Sequence, residues 1–279
     1  MVTPQSESNN NFARRRSAVL QPEASMSLKA AVCNRDRTIA YDLIHEAYAA
    51  AGYTETSCEF TIPESYDSPS TRTFLLSRDG APCGTFTIVP DGPLGLVMEG
   101  IYRQELAAFR GSDRFLGEVS GLAFGKTLTG PERATALLYL YQTAYIFSRR
   151  TGITDLMIAV NPHHAAFYER SLLFDSFAEF RTYTSLKEAP AVAKRLHMPS
   201  WPSRLYAKYG RPEEERAQRF PMDSLLRVLV QALQDSHVPP GLDLELLPSL
   251  VAPTSWNELR STYSGPPPHP LLTAGGSAA

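Results

Sequence analysis

The chain is short of several things, and each shortage removes a class of protein. It has three cysteines in 279 residues, Cys33, Cys58 and Cys83, far apart and with no CxxC pair. So sparse and odd a set does not make a disulfide framework and points to a reducing compartment. No apolar run is long enough to cross a bilayer. The "RRR" at 14–16 is not followed by an apolar stretch, so it does not read as a secretory signal, and the expected location is cytoplasmic. Neither sign of charge is in excess: 27 basic and 29 acidic residues leave a formal net charge of −2. That balance gives no global reason to expect a nucleic-acid partner. Neither GxxxxGK[ST] nor GxGxxG occurs. The "GKT" at 125–127 resembles the end of a phosphate loop, but Leu122, Ala123 and Phe124 stand before it. There is no repeat of solenoid period.

What is present suits a globular protein. Some 43% of residues are hydrophobic and 20% charged, enough to bury a sizeable core. Residues 1–27 are polar and aperiodic and read as a disordered arm; residues 266–279, rich in Pro, Gly and Ala, read as a tail. The pattern is densest over 28–198. "LKAAV" at 28–32 suits a strand, and the stretch 37–53 places Ile39, Leu43, Ile44, Ala47 and Ala51 on one helical face. Two β-prone runs flank Asp79-Gly80 in 71–91 and predict a hairpin. A glycine-punctuated strand follows at 113–125. Next comes a helix over 130–152, with Pro131 in its first turn and Gly152 at its stop. The apolar run at 153–160 suits a strand covered on both faces. Asn161 caps a further helix, and strands are expected at 176–184 and 190–198. Helices at 221–236 and 242–251 make residues 199–265 a helical extension. It either packs back on the domain or binds a partner. The fold class is α/β, a mixed central sheet with helices on both faces.

Two stretches can carry chemistry. In "GEVSGLAFG", residues 117–125, glycines interrupt an apolar strand, as they do at bulges and where a ligand approaches the backbone. Glu118 and Ser120 are two residues apart and share a face. A carboxylate among apolar neighbours is costly unless it is paired with a cation or used in catalysis, and both readings stay open. In "NPHHAAFYERSLLF", residues 161–174, His163 and His164 are adjacent, so they diverge by about 100° on a helix and do not form an HExxH pair. No metal site is expected. Tyr168 is either a core tyrosine or a proton donor.

"EVSGLAF", a helix, then "GITDLMIAVNPHHAAFYERSLLF" together resemble the N-acyl amino acid synthases of the GNAT superfamily, relatives of the acyl-homoserine-lactone synthases. "DGPLGLVMEGIYRQELAAFR" at 91–110 is similar to the same family. The resemblance covers roughly 28–198. It implies the GNAT fold, whose central strands splay apart to admit an acyl thioester, and transfer of a long acyl chain to an amino acid's amino group.

The resemblance also implies roles. Glu118 would accept the amine proton, directly or through water. Backbone N–H groups near Leu122 and Phe124 would hold the thioester oxygen, and Tyr168 would protonate the leaving thiolate. Ser120, Asn161 and His164 match positions near the substrates. Arg110 would bind the amino acid's carboxylate, or else form a salt bridge. Leu94, Leu96, Val97 and Met98 would line an acyl channel, or else pack in the core. No cofactor would be resident, the co-substrate being an acyl-phosphopantetheine thioester. The pyrophosphate-cradling loop of coenzyme A-dependent relatives is missing at "LTGPERATA", residues 128–136, which favours acyl carrier protein as donor over acyl-CoA. Peripheral membrane contact through the product or the C-terminal helix is a further expectation. Two departures stand out. Leu173 replaces the family's Gly, which suggests a differently shaped helix end. Gly121 replaces the Arg of the homoserine-lactone synthases and argues against an autoinducer product. A non-catalytic module binding acyl carrier protein or another partner is the reading from another class.

Overall fold

The computed structural model describes residues 26–57, 61–110, 113–210 and 221–248. Seven strands form one sheet: β1 (Met26–Ala30), β2 (Arg72–Arg78), β3 (Ala81–Pro90), β4 (Leu116–Phe124), β5 (Asp155–Val160), β6 (Asp175–Tyr183) and β7 (Ala189–His197). Their order is β1-β2-β3-β4-β5-β7-β6. Every pairing is antiparallel except β4–β5. The hairpin between β2 and β3 turns on Asp79 and Gly80, whose φ values of 51° and 77° are both positive, as a tight turn matched to strand twist requires.

The parallel pair fixes the architecture. β4 and β5 share only three residue pairs, the last being Glu118 with Met157. Beyond them β4 runs on to Phe124 and β5 to Val160 without partnering each other. The sheet is therefore open between its two central strands, the GNAT feature expected from the resemblance. β4 also carries a bulge. Thr87 faces Ser120 and Thr85 faces Ala123, so Gly121 and Leu122 together oppose Phe86. Gly121 takes φ +59°, and a Cβ there would lie 2.5 Å from the Tyr66 hydroxyl and 2.8 Å from Ile44 Cδ1. Glycine is required at that position on both counts.

Helices α1 (Asn34–Ala50) and α2 (Glu99–Phe109) cover one face, burying Ile44, Tyr102 and Leu106 against Val89 and Met157. α3 (Gly130–Thr151) and α4 (Pro162–Arg170) cover the other. Thr129 and Glu132 form a capping box at the start of α3, and Gly152, φ 77°, closes it. The Asn161 side chain accepts the His163 N–H at the start of α4, so it is a helix cap as the sequence suggests. After β7, helix α5 (Trp201–Tyr209) and helix α6 (Pro221–Gln234) pack on the α3 side. There Trp201, Leu205, Leu226 and Leu229 are wholly buried. The chain then returns to the first strand, where Pro240 accepts the Leu28 N–H at 2.8 Å.

Several expectations are adjusted. The polar arm expected to reach residue 27 ends earlier, because Met26 and Ser27 already pair with Arg78 and Ser77. The helix expected at 242–251 is a short 3-10 turn, Leu244–Leu246, and its last residues lie outside those described. The stretch 91–110, assigned no element from the sequence, contains α2. Leu173 stands just past the end of α4. It adopts φ +65°, the left-handed conformation that the family's glycine suits. A non-glycine residue there costs about 1–2 kcal/mol, offset by packing against the α3-side core. The arm before residue 26, Cys58 and the C-terminal tail lie outside the described residues.

Substitution of Gly121 tests the bulge. Gly121→Ala adds a strained φ and a clash, and it should lower the unfolding midpoint by roughly 5 °C or more. Gly130→Ala, where a Cβ meets nothing within 4 Å, should change it little. Thermal unfolding followed by circular dichroism compares the two.

Candidate active site

Glu118 sits where the sheet parts. It lies opposite Val89 on β3 and Met157 on β5, and is 2% exposed. Its Oε2 accepts the Met98 N–H at 3.0 Å, and the Val97 N–H is a second backbone donor. Both donors belong to the turn that leads into α2. That turn is built around other carboxylates. Glu99 accepts the Leu96 N–H at 3.0 Å and takes the space where a side chain at Gly95, φ +70°, would go. Arg110 binds Asp91 through two contacts of 2.7 Å and also binds Glu99. The turn therefore presents N–H groups to Glu118 while its own acids are tied to Arg110.

Burial pushes the Glu118 carboxyl up to about 8. The Met98 and Val97 N–H groups pull it down, and Glu99 and Asp91 add to the rise. Desolvation wins because two neutral donors do not replace the hydration of a charge. Phenols surround the acid. Tyr48 is pushed up to about 12 by burial, with the Glu118 charge second, and Tyr66 and Tyr183 are raised by burial with Glu118 contributing. Ser120 lies on the same face, where its hydroxyl meets that of Tyr66.

Tyr168 lies on the other face. It packs in the α3-side core, edge-on to Phe174, with the Tyr141 hydroxyl as its hydrogen-bond partner. Leu122 and Phe124 pack against the same core. The Gly125 N–H turns toward β3, donating to Cys83 at 2.8 Å. Strand alternation then turns the N–H group of Phe124 toward the unpaired β5 side. The carboxyl and the phenol thus lie on opposite faces of the sheet, on either side of the strands that part.

The remaining residues named from the sequence are more scattered. Asn161 reaches the Glu118 side indirectly. It donates to the Tyr53 hydroxyl at 2.7 Å, and Tyr53 stands edge-on to Tyr48. His164 is exposed in the first turn of α4, its ring against that of His163. Arg110 is engaged by two carboxylates. Leu96 and Met98 are buried in the α1–α2 core, with Val97 packed against it and Leu94 half-exposed. Among the described residues no group of three His, Cys, Asp or Glu side chains is placed to hold a metal ion. No helix among them is long and apolar enough to cross a membrane.

Sequence reasoning missed the phenols around Glu118. Tyr41 and Tyr48 are seven residues apart on α1, a visible same-face spacing. Tyr66 and Tyr183 carry no local signal, because only the fold brings them to this point. The start of α3 was also only half legible. Glu132 itself occupies the helix N-terminus, accepting from the Thr129 N–H at 2.7 Å and from Arg78 at 2.7 Å. The Thr129 N–H first, then Arg78, hold its carboxyl down at about 2.

The sequence profile of the family "N-acyl amino acid synthase FeeM" matches residues 39–197, more than half of the chain. The chain belongs to this family. It is an N-acyltransferase. Among solved structures it is similar to FeeM, an N-acyl amino acid synthase from uncultured soil microbes. The identity is 32%, with 64% of this chain and 93% of that one covered and a TM-score of 0.57. The CoA-dependent acyl-homoserine lactone synthase BjaI, solved with SAM and isopentyl-CoA, shares the fold at 14% identity. That alignment covers 85% of this chain and 98% of the other, with a TM-score of 0.50. No curated protein matches the chain.

The raised carboxyl of Glu118 has a measurable consequence for stability. A carboxyl whose folded value lies above its unfolded value of 4.5 contributes stability that is complete below 4.5 and lost as pH rises through about 8. Urea midpoints of the wild type should therefore fall between pH 5 and pH 8. Glu118→Gln should flatten that slope and be the more stable protein at pH 8; equal slopes would place Glu118 in water.

Proposed function

We propose that this N-acyltransferase moves a long-chain acyl group from acyl carrier protein to the amino group of an amino acid. The observation that carries the reading is a buried carboxyl, raised to about 8, at the point where β4 and β5 part. An α-amino group has a pKa near 8, so at pH 7 only about a tenth of it is neutral. A base of matched pKa takes the ammonium proton with little driving force lost. The freed nitrogen attacks the thioester carbonyl carbon and the C–N bond forms. The N–H groups of Leu122 and Phe124 hold the resulting oxyanion. As the C–S bond breaks, Tyr168 gives its hydroxyl proton to the thiolate sulfur, the nitrogen loses its second proton to water to become the amide N–H, and Tyr168 regains a proton from water through Tyr141. Ser120, Asn161 and His164 border the two arms of the substrate. Arg110 holds the turn that carries the Val97 and Met98 donors, as its pairing with Asp91 and Glu99 indicates.

The preference for acyl carrier protein is supported by Glu132. A free pyrophosphate would need the N-terminal N–H groups of α3, and a carboxylate with Arg78 already stands there. Lys126 and Arg133, both exposed, flank this end of α3 and suit an acidic carrier. Such a carrier is met in the cytoplasm, which fits the sparse cysteines. Against a homoserine-lactone product stands Gly121, where no side chain fits.

The assay is product formation by mass spectrometry from acyl carrier protein charged with a C16 chain and a mixture of amino acids. Glu118→Gln should lower the rate roughly 10²–10⁴-fold, and Tyr168→Phe about 10²-fold. The wild-type rate should rise with pH and level off above about 8. Lys126→Glu with Arg133→Glu should raise KM for the carrier at least about tenfold and leave KM for acyl-CoA unchanged. An inert wild type with every donor would leave only a binding module.

A further inference from the structure

Glu118 is 2% exposed, yet a base must release each proton it takes before the next turnover. The sheet face that carries it also carries a row of hydroxyls. Register places Thr73 of β2 opposite Thr87 of β3, and Thr87 opposite Ser120 of β4. The two threonine hydroxyls are 2.9 Å apart, either able to donate, and both residues are buried. Tyr66, from the 3-10 turn Glu64–Asp67, drops its hydroxyl beside Gly121, near enough to the Thr87 and Ser120 hydroxyls that both favour its ionised form. At the other end Tyr41 of α1 lies near Thr73, whose side chain acts on it in the same way. Tyr41, Tyr66 and Thr73 line a surface pocket of about 240 Å³ that also includes Arg37, Asp67 and Arg72. Asp67 is exposed at this pocket.

We propose that Ser120, Tyr66, Thr87, Thr73 and Tyr41 form a proton relay that carries the proton from Glu118 across the sheet to this pocket. The inference rests on Glu118 acting as the base. Each hydroxyl both donates and accepts, so as the Glu118 carboxyl gives its proton to the first, each passes its own to the next. Tyr41 releases one to pocket water or to the Asp67 carboxylate. One proton leaves, Glu118 is again an anion, and no hydroxyl gains or loses charge. Glu118 and Ser120 are two residues apart on one strand face, roughly 6.6 Å along the chain, so the relay requires one bridging water at this step. The design answers a geometric need: the donors at Val97 and Met98 carry no lone pair and the neighbours Val89 and Met157 are apolar, so the proton must pass to a nearby hydroxyl.

The experiment compares Thr87→Val, which keeps shape and removes the hydroxyl, with Thr87→Ser, which keeps the hydroxyl. Thr73→Val interrupts the row one step further from Glu118. Far-ultraviolet circular dichroism checks folding, and rates are taken with saturating charged carrier and amino acid. Thr87→Val and Thr73→Val should each lower kcat about tenfold with KM within twofold. Their solvent deuterium isotope effect on kcat should rise, and Thr87→Ser should restore the rate to within threefold. Unchanged kcat in both valine variants overturns the relay. So does a Thr87→Ser variant as slow as Thr87→Val, since that makes the site one of packing. If Thr87→Val fails to fold, Thr73→Val and the serine variant decide. Glu118→Gln is run beside them. Loss of activity there with active valine variants rejects the relay alone, whereas full activity in Glu118→Gln rejects the base itself.

Discussion

The structure turns on a carboxyl buried at the one place where a sheet lets go of itself. Glu118 is the last β4 residue paired to β5, and everything near it addresses the cost of holding an acid there. Removing a carboxylate from water is expensive unless donors replace the water. Two backbone N–H groups do so in part, and the result is an acid raised to about 8 rather than one locked as an anion by a cation. Had Arg110 faced Glu118, its charge would have pulled the carboxyl below the range useful for taking a proton from an amine. Asp91 and Glu99 hold that arginine instead.

The parted strands separate two chemistries. Glu118 and the phenols of Tyr48, Tyr66 and Tyr183 lie on the α1–α2 face, while Tyr168 and Tyr141 lie on the α3 face. In the proposed reaction, a substrate that spans the gap meets the base on one side and the proton donor on the other. The bulge at Gly121 serves both sides. It breaks the regular register of β4, and by lacking a side chain Gly121 leaves room for the Tyr66 hydroxyl.

The C-terminal extension belongs to the same packing problem. An α3 helix that packs Phe147 on Phe74 of the sheet also presents Leu137, Leu138 and Tyr141 on another side, and α6 lays Leu225, Leu226 and Leu229 over them. Trp201 completes the seam, its Nε1 donating to the Leu172 carbonyl at 2.9 Å. That bond lies next to Leu173 and helps hold its left-handed turn, so the extension supports the end of the helix that carries Tyr168.

Local order determined what the sequence could reveal by itself. Asp79-Gly80 dictates a hairpin, Thr129 to Glu132 a capped helix, and the 153–160 run a strand buried on both faces. Each rests on neighbours in the chain. The pairing of Glu118 with Ser120 on one strand face is local too, and so was legible, as was the glycine punctuation of the bulge. Only the tertiary structure decided that Arg110 answers to Asp91 and Glu99, and that the "GLVM" stretch offers N–H groups to Glu118. Only it set Tyr66 and two threonines between the acid and the surface. Those relations join residues from 11 positions apart, as Arg110 and Glu99 are, upward, and no periodicity encodes a distance across a sheet. The protonation of Glu118 follows the same rule: its residue type is written in the chain, but its pKa is set by the water that folding takes away.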